Sequence, residues 1–184
     1  AVPDPVEKTQ EVNLIFSYPD FNSVSTPMLS SFEQYAQTMS VISQTAWLGG
    51  QAGVMKYELS TGMGITYTLP PIIGLTTLGN DLWAMSANAT HQWNGMEWIT
   101  TTSPLSLPLV VIKSDSADKI AIVGRDSQNS EIAIWENRQW SAPIPFSSTL
   151  ITALAYDDDG FLWVGSDGDG IYRQTENGWI NYTT

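Results

Sequence analysis

Four segments, TAWLGG, DLWAMS, KIAIVG and FLWVGS, recur along the chain and share one pattern, and this recurrence restricts the fold more than any other feature. Lined up, they place Trp47, Trp83, Ile122 and Trp163 in register, at intervals of 36, 39 and 41 residues by subtraction. A second aromatic column follows with Tyr57, Trp93, Trp135 and Tyr172, and a third with Tyr67, Trp98, Trp140 and Trp179. Three aromatic columns on one period of about 40 residues mean a repeated structural unit.

Each unit reads as four short strands. In the last, ITALAY is a strand, Asp157 to Gly160 a turn, FLWVG a second strand, SDGDG a turn, IYRQ a third strand, and ENG leads into WINY. Helical periodicity is nearly absent, with MLSSFEQYAQT near residues 28–38 the one segment that suits a short helix. Four antiparallel strands in about 40 residues, repeated, are the pattern of a β-propeller blade. The expected fold class is therefore all-β, a propeller of four recognisable blades at about 39–70, 71–104, 105–146 and 147–184. Residues 1–38 form a divergent N-terminal segment with an extended arm, a strand and the short helix.

The segment ITALAYDDDGFLWVGSDGDGIYRQTENGWINYT resembles the two-component-regulator propeller repeat: an apolar strand, an acidic D-x-x-G turn, an LW-V-G strand, a Gly-rich turn, G-I-Y-R and a closing W-x-x-Y. The earlier units match progressively less, chiefly by keeping the aromatic columns; Ile122 stands where the pattern has Trp, and RDSQNSE lengthens a turn. The resemblance implies a sensor or ligand-recognition domain outside the cytoplasm, and it carries no general set of catalytic residues.

Large flat rings in a second strand suit a wedge between neighbouring blades, so Trp47, Trp83, Ile122 and Trp163 are expected to be structural core. Each buried ring contributes up to about 4–6 kcal/mol of apolar burial. Gly49, Gly124 and Gly165, after them, allow close backbone approach.

Composition narrows the chemistry. The 184 residues include 19 acidic and 7 basic ones, a net charge of −12 that repels phosphate backbones and anionic lipid, so nucleic acid and membrane surfaces are not expected partners. With no cysteine there is no disulfide framework, thiolate metal site or thiol nucleophile, and the single His91 leaves little room for a multi-histidine site. The turns Asp157–Gly160 and Asp167–Gly170 invite a calcium reading, but neither completes an EF-hand spacing. They also flank one strand from opposite ends, about 15 Å apart, and acidic residues with Gly are ordinary turn formers. No catalytic, cofactor or metal residues are assigned, and His91 is expected at a surface or turn.

Val12 to Tyr18 reads as an outer strand, resembling the closing strands of the later units. Because the last unit supplies its own fourth strand, that segment is expected to belong to a blade completed elsewhere, which makes the chain part of a larger ring; a compact ring of four or five blades is the competing arrangement. Further blades or a subunit are then expected over an open blade face. The function expected is non-enzymatic: an extracytoplasmic propeller that binds a protein or ligand through loops on one face of the disc, with no cofactor. The alternatives are a metal-assisted lyase or hydrolase of the same fold and a structural subunit of a larger assembly.

Overall fold

The structure, a computed structural model, describes residues 36–183 other than 116 and 148. The Val12 to Tyr18 segment lies outside them, as does most of the segment read as a short helix. Among the described residues the chain is entirely β, and its strands form four antiparallel sheets in sequence order.

The first sheet comprises β1 (Ala36–Ile42), β2 (Thr45–Gly50), β3 (Gly53–Glu58) and β4 (Met63–Tyr67). The second comprises β5 (Gly74–Leu78), β6 (Asp81–Met85), β7 (Ala89–Trp93) and β8 (Trp98–Thr102). The third contains β9 (Leu109–Ser114), β10 (Ile120–Arg125) and β11 (Ser130–Glu136), with β12 (Gln139–Trp140) and β13 (Ile144–Phe146) both paired to β11. The fourth comprises β14 (Leu150–Tyr156), β15 (Leu162–Asp167), β16 (Ile171–Thr175) and β17 (Gly178–Tyr182).

Residues 36–38 are strand rather than helix. Thr38, Val41 and Ile42 are β-branched, and β1 pairs with β2 from Ala36↔Gly50 to Ile42↔Thr45, so cross-strand pairing overrides a weak local helical pattern. In the third sheet the fourth-strand position is split into β12 and β13 by Ser141–Pro143; Pro143 and Pro145 lack the N–H a continuous ladder needs.

The sheets stack in chain order, with β1, β5, β9 and β14 side by side. Polar side chains tie neighbouring sheets together: Thr38 Oγ1 accepts from Leu75 N at 3.1 Å, the Thr76 and Ser114 hydroxyls meet at 2.8 Å, and Ser130 Oγ of β11 accepts from Ile151 N at 2.9 Å. Between them lie three hydrophobic layers. Trp47 and Val54 pack on Ile72, Leu82 and Ala84; Met85 packs on Leu109, Ile122 and Ala133; Ala121, Val123 and Ile132 pack on Ile151, Leu162 and Val164. Successive residues of a second strand therefore serve different neighbours, as the period of two requires: Leu82 and Ala84 face the first sheet, Met85 the third.

Candidate functional site

All three aromatic columns join at each of the first two sheet interfaces. Trp47 and Tyr67 stack at 6.2 Å and meet Trp93 at 5.6 and 4.9 Å and Trp98 at 6.0 and 6.2 Å. Trp83 meets Trp135 at 5.2 Å and Trp140 at 6.4 Å. A forward-facing Trp thus sits against an aromatic pair where the third strand of the next sheet ends and its fourth begins (Trp93↔Trp98, Trp135↔Trp140). Trp47 and Trp83 are 3% and 2% exposed and Ile122 is fully buried, whereas Trp163 is half-buried.

Ile122 is core as expected but faces the other way, and Trp163 is less buried than expected. Ile122 faces back toward Met85 and Leu109 of the preceding layer, opposite to the tryptophans. The residue that shares their direction is Ala121, packed toward the fourth sheet, because a shift of one residue along a strand changes the face. Phe146 of β13 fills the space a tryptophan would take, meeting Tyr172 at 5.4 Å and Trp179 at 5.2 Å. Trp163 is not sealed, since it lies on the far face of the fourth sheet, where no hydrophobic layer covers it among the described residues.

His91 is a core residue rather than a surface or turn one. It is 1% exposed, with Nδ1 2.9 Å from Thr100 Oγ1 and Nε2 3.1 Å from Ser86 Oγ, and burial holds its pKa below the usual histidine value. Asp157 is occupied structurally as well. Its carboxylate accepts from Phe161 N at 2.8 Å, Trp163 Nε1 at 2.8 Å and Arg173 Nη2 at 2.9 Å, and these donors, the Trp163 indole first among them, pull its pKa down to about 2. Among the described residues no group of three or more His, Asp and Glu side chains is arranged to hold a metal ion.

Two concavities lie at the end of the stack that carries the first-to-second and third-to-fourth strand turns. The larger, about 540 Å³, opens between the second and third sheets. Its apolar lining is Leu78, Trp83 and Trp135; its polar lining is Asp81, Gln92, Asp118, Asn137 and Arg138. Gln92 Nε2 donates to Asp81 Oδ2 at 2.8 Å, fixing both. Asn137 and Arg138 form the two-residue turn between β11 and β12, with φ of 54° and 62°; this doubly left-handed geometry suits a tight hairpin and projects both residues at the rim. A second concavity of about 280 Å³ shares Asn137 and continues between the third and fourth sheets past Lys119, Glu136 and Gln174. Lys119 and Glu136 lie 3.6 Å apart there. The indole N–H groups of Trp83 and Trp140 are buried without a hydrogen-bond partner among the described residues.

None of these rim residues stood out in the sequence. Asp81 and Gln92 come from the second sheet and Asp118, Asn137 and Arg138 from two turns of the third, and only the stacking of these sheets brings them together; the aromatic columns at Trp83 and Trp135 were the one local signal.

No family model and no curated protein matches this sequence. Solved structures do. The extracellular domain of BT4673 from B. thetaiotaomicron, assigned to a one component system, matches with 19% identity and a TM-score of 0.66 over 82% of this chain and 22% of its own. YCF48 bound to D1 peptide matches with 17% identity and a TM-score of 0.61 over 79% of this chain and 52% of its own, and YCF48 from Cyanidioschyzon merolae with 13% identity and a TM-score of 0.55. This chain therefore spans about a fifth of the first and about half of the second. Together with four stacked antiparallel sheets, these likenesses show the fold: a β-propeller blade array. No helix among the described residues is long and apolar enough to cross a membrane.

Proposed function

We propose that this chain is a non-enzymatic binding domain acting outside the cytoplasm, and that it takes a protein segment or another extracytoplasmic ligand in the groove between the second and third sheets. The observation that carries this reading is the groove itself: an apolar floor of Leu78, Trp83 and Trp135 beneath hydrogen-bonding side chains of both signs, set at the turn end of a rigid stack. The location of His91 in the core, held by Ser86 and Thr100, supports the non-enzymatic reading, because the one imidazole of the chain is withdrawn from the concavities. The extracytoplasmic assignment rests on the repeat resemblance and on the likeness to the BT4673 domain, which is extracellular. That YCF48 is seen with a bound peptide supports a peptide as one ligand class for this fold.

A thermal-shift screen with basic, acidic and neutral peptides and with oligosaccharides tests the reading. A ligand that raises the melting temperature of the wild type is expected to bind at least about tenfold more weakly to Asp118→Asn with Arg138→Ala, a loss of about 1.4 kcal/mol. It should bind unchanged to Asp167→Asn at the opposite end of the stack. A ligand insensitive to the first pair and sensitive to Asp167→Asn would overturn the assignment of the groove.

A further inference from the structure

Where the third strand of each sheet turns into the fourth, one residue takes a left-handed backbone, and in three of the four sheets it is glycine: Gly62 (φ 68°), Gly95 (φ 95°) and Gly178 (φ 126°). In the second and fourth sheets that glycine follows an asparagine, as Asn94-Gly95 and Asn177-Gly178. The third sheet has Asn137-Arg138 instead, with Arg138 at φ 62°. Asparagine visits this region readily, but a long side chain on a Cβ is strained in it, and for that reason a tight hairpin of this kind takes glycine at its second position. Arg138 is thus held against local preference, and it is held at the third-to-fourth turn that borders the larger groove. Its partners within the fold do not explain this. Of the three arginines, Arg125 donates to Ile151 O at 2.8 Å and Arg173 to Asp157 at 2.9 Å, whereas Arg138 is exposed and makes no hydrogen bond or ion pair among the described residues.

We propose that Arg138 sets the specificity of the groove, and that its guanidinium takes a carboxylate of a peptide ligand whose apolar part lies over Trp135. This rests on the groove being the binding site proposed above. Arg138 is the one cation among the residues lining the groove, and a guanidinium offers two parallel N–H donors that match a carboxylate and do not match its amide. Of the two carboxylates in the lining, Asp81 already accepts from Gln92 at 2.8 Å, while Asp118 has no hydrogen-bond or ion-pair partner among the described residues. The rim therefore fits a ligand that brings an acid for Arg138 and an N–H donor for Asp118. A peptide carries both within a residue or two, whereas a chain of uronic acids has no N–H to give.

The test uses an array of random heptapeptides, each made as the free acid and as the C-terminal amide, with a parallel set in which Asn and Gln replace Asp and Glu. The two comparisons separate a terminal carboxylate from a side-chain one, and oligogalacturonate is measured beside them. The wild type is expected to bind its best peptides at least about tenfold more tightly in one of the acid forms than in the matching amide. Arg138→Gly, which restores the residue of the other three turns, should lose that preference and raise the melting temperature by about 2–4 °C as the left-handed strain is relieved. Peptides that shift the Trp83 and Trp135 indole resonances but bind equally as acid and amide, or a preference that survives Arg138→Gly, would overturn the carboxylate assignment and leave the groove standing. A melting temperature lowered by Arg138→Gly would show that Arg138 serves the fold and would overturn it too. Tighter binding of oligogalacturonate than of any peptide would overturn the peptide class, and an array with no peptide that moves these indoles would overturn the groove reading and this inference with it.

Discussion

Trp163 and Tyr182 stack at 5.7 Å with their rings 16° from parallel, and the Trp47–Tyr67 pair three sheets away stacks at 6.2 Å and 25°. The same two-ring device is thus used once as a buried seam and once as a half-exposed shelf. Energetically the two differ by what lies above them, and that difference gives the first test.

Trp83→Ala empties a buried site between two sheets and should cost about 3–5 kcal/mol, the usual loss for a buried aromatic. Trp163→Ala removes a half-buried ring and should cost clearly less, even though it also deprives Asp157 of a donor. Chemical denaturation of both variants measures the gap; equal losses would contradict the difference in burial.

A pair of glycine substitutions tests the same contrast without touching a ring. A Cβ on Gly49 would lie 2.7 Å from Ile72 Cγ2 and from Thr38 Cγ2, so Gly49→Ala should cost about 1–3 kcal/mol through overpacking. A Cβ on Gly165 would meet nothing closer than Ala153 Cβ at 3.4 Å, so Gly165→Ala should be neutral or slightly stabilising. A Gly165→Ala variant as unstable as Gly49→Ala would mean that something covers the fourth sheet.

His91 should make the fold acid-sensitive. Its pKa is lowered in the folded state by burial, so the unfolded chain binds the proton more readily. Stability is then full above the unfolded value of about 6.5 and falls as pH drops below it toward the lowered folded value. Melting temperatures between pH 8 and pH 5 should show this slope. His91→Gln should flatten it, and a slope unchanged in that variant would place the proton uptake elsewhere.

Asp157 acts at lower pH. Its carboxylate is held down to about 2 by Trp163, Phe161 and Arg173, so its contribution is complete above the ordinary Asp value of about 3.8 and is lost as pH falls through about 2. Asp157→Asn should lower the melting temperature at pH 7 and narrow the difference from wild type near pH 2. A variant equally destabilised at both pH values would show that shape rather than charge is what Asp157 supplies.

The stack was legible in the sequence because burying a wedge between sheets demands large rings at fixed strand positions, and Trp47, Trp83, Trp93 and Trp98 meet that demand openly. The direction of each ring was harder to read. In the third unit Ile120, Ala121, Ile122 and Val123 are all apolar and all buried, so alternation gives no phase, and only the packing shows that Ala121 rather than Ile122 faces forward. Tyr67 was grouped with Trp98, yet it pairs with Val54 at the other end of its strand and corresponds to Tyr182. Of the groove only the aromatic floor, Trp83 and Trp135, was legible; its polar rim was not. Asp81, Asp118 and Arg138 are 20 or more residues apart in the chain and look like ordinary turn residues until two sheets are placed side by side.

The central claim, that ligand enters between the second and third sheets, is tested most directly by the indole N–H resonances of the eight tryptophans. With a ligand from the screen titrated into 15N-labelled protein, the Trp83 and Trp135 signals should shift progressively while those of Trp47 and Trp163 stay in place. Shifts concentrated at Trp163, with Trp83 and Trp135 unmoved at saturation, would contradict it.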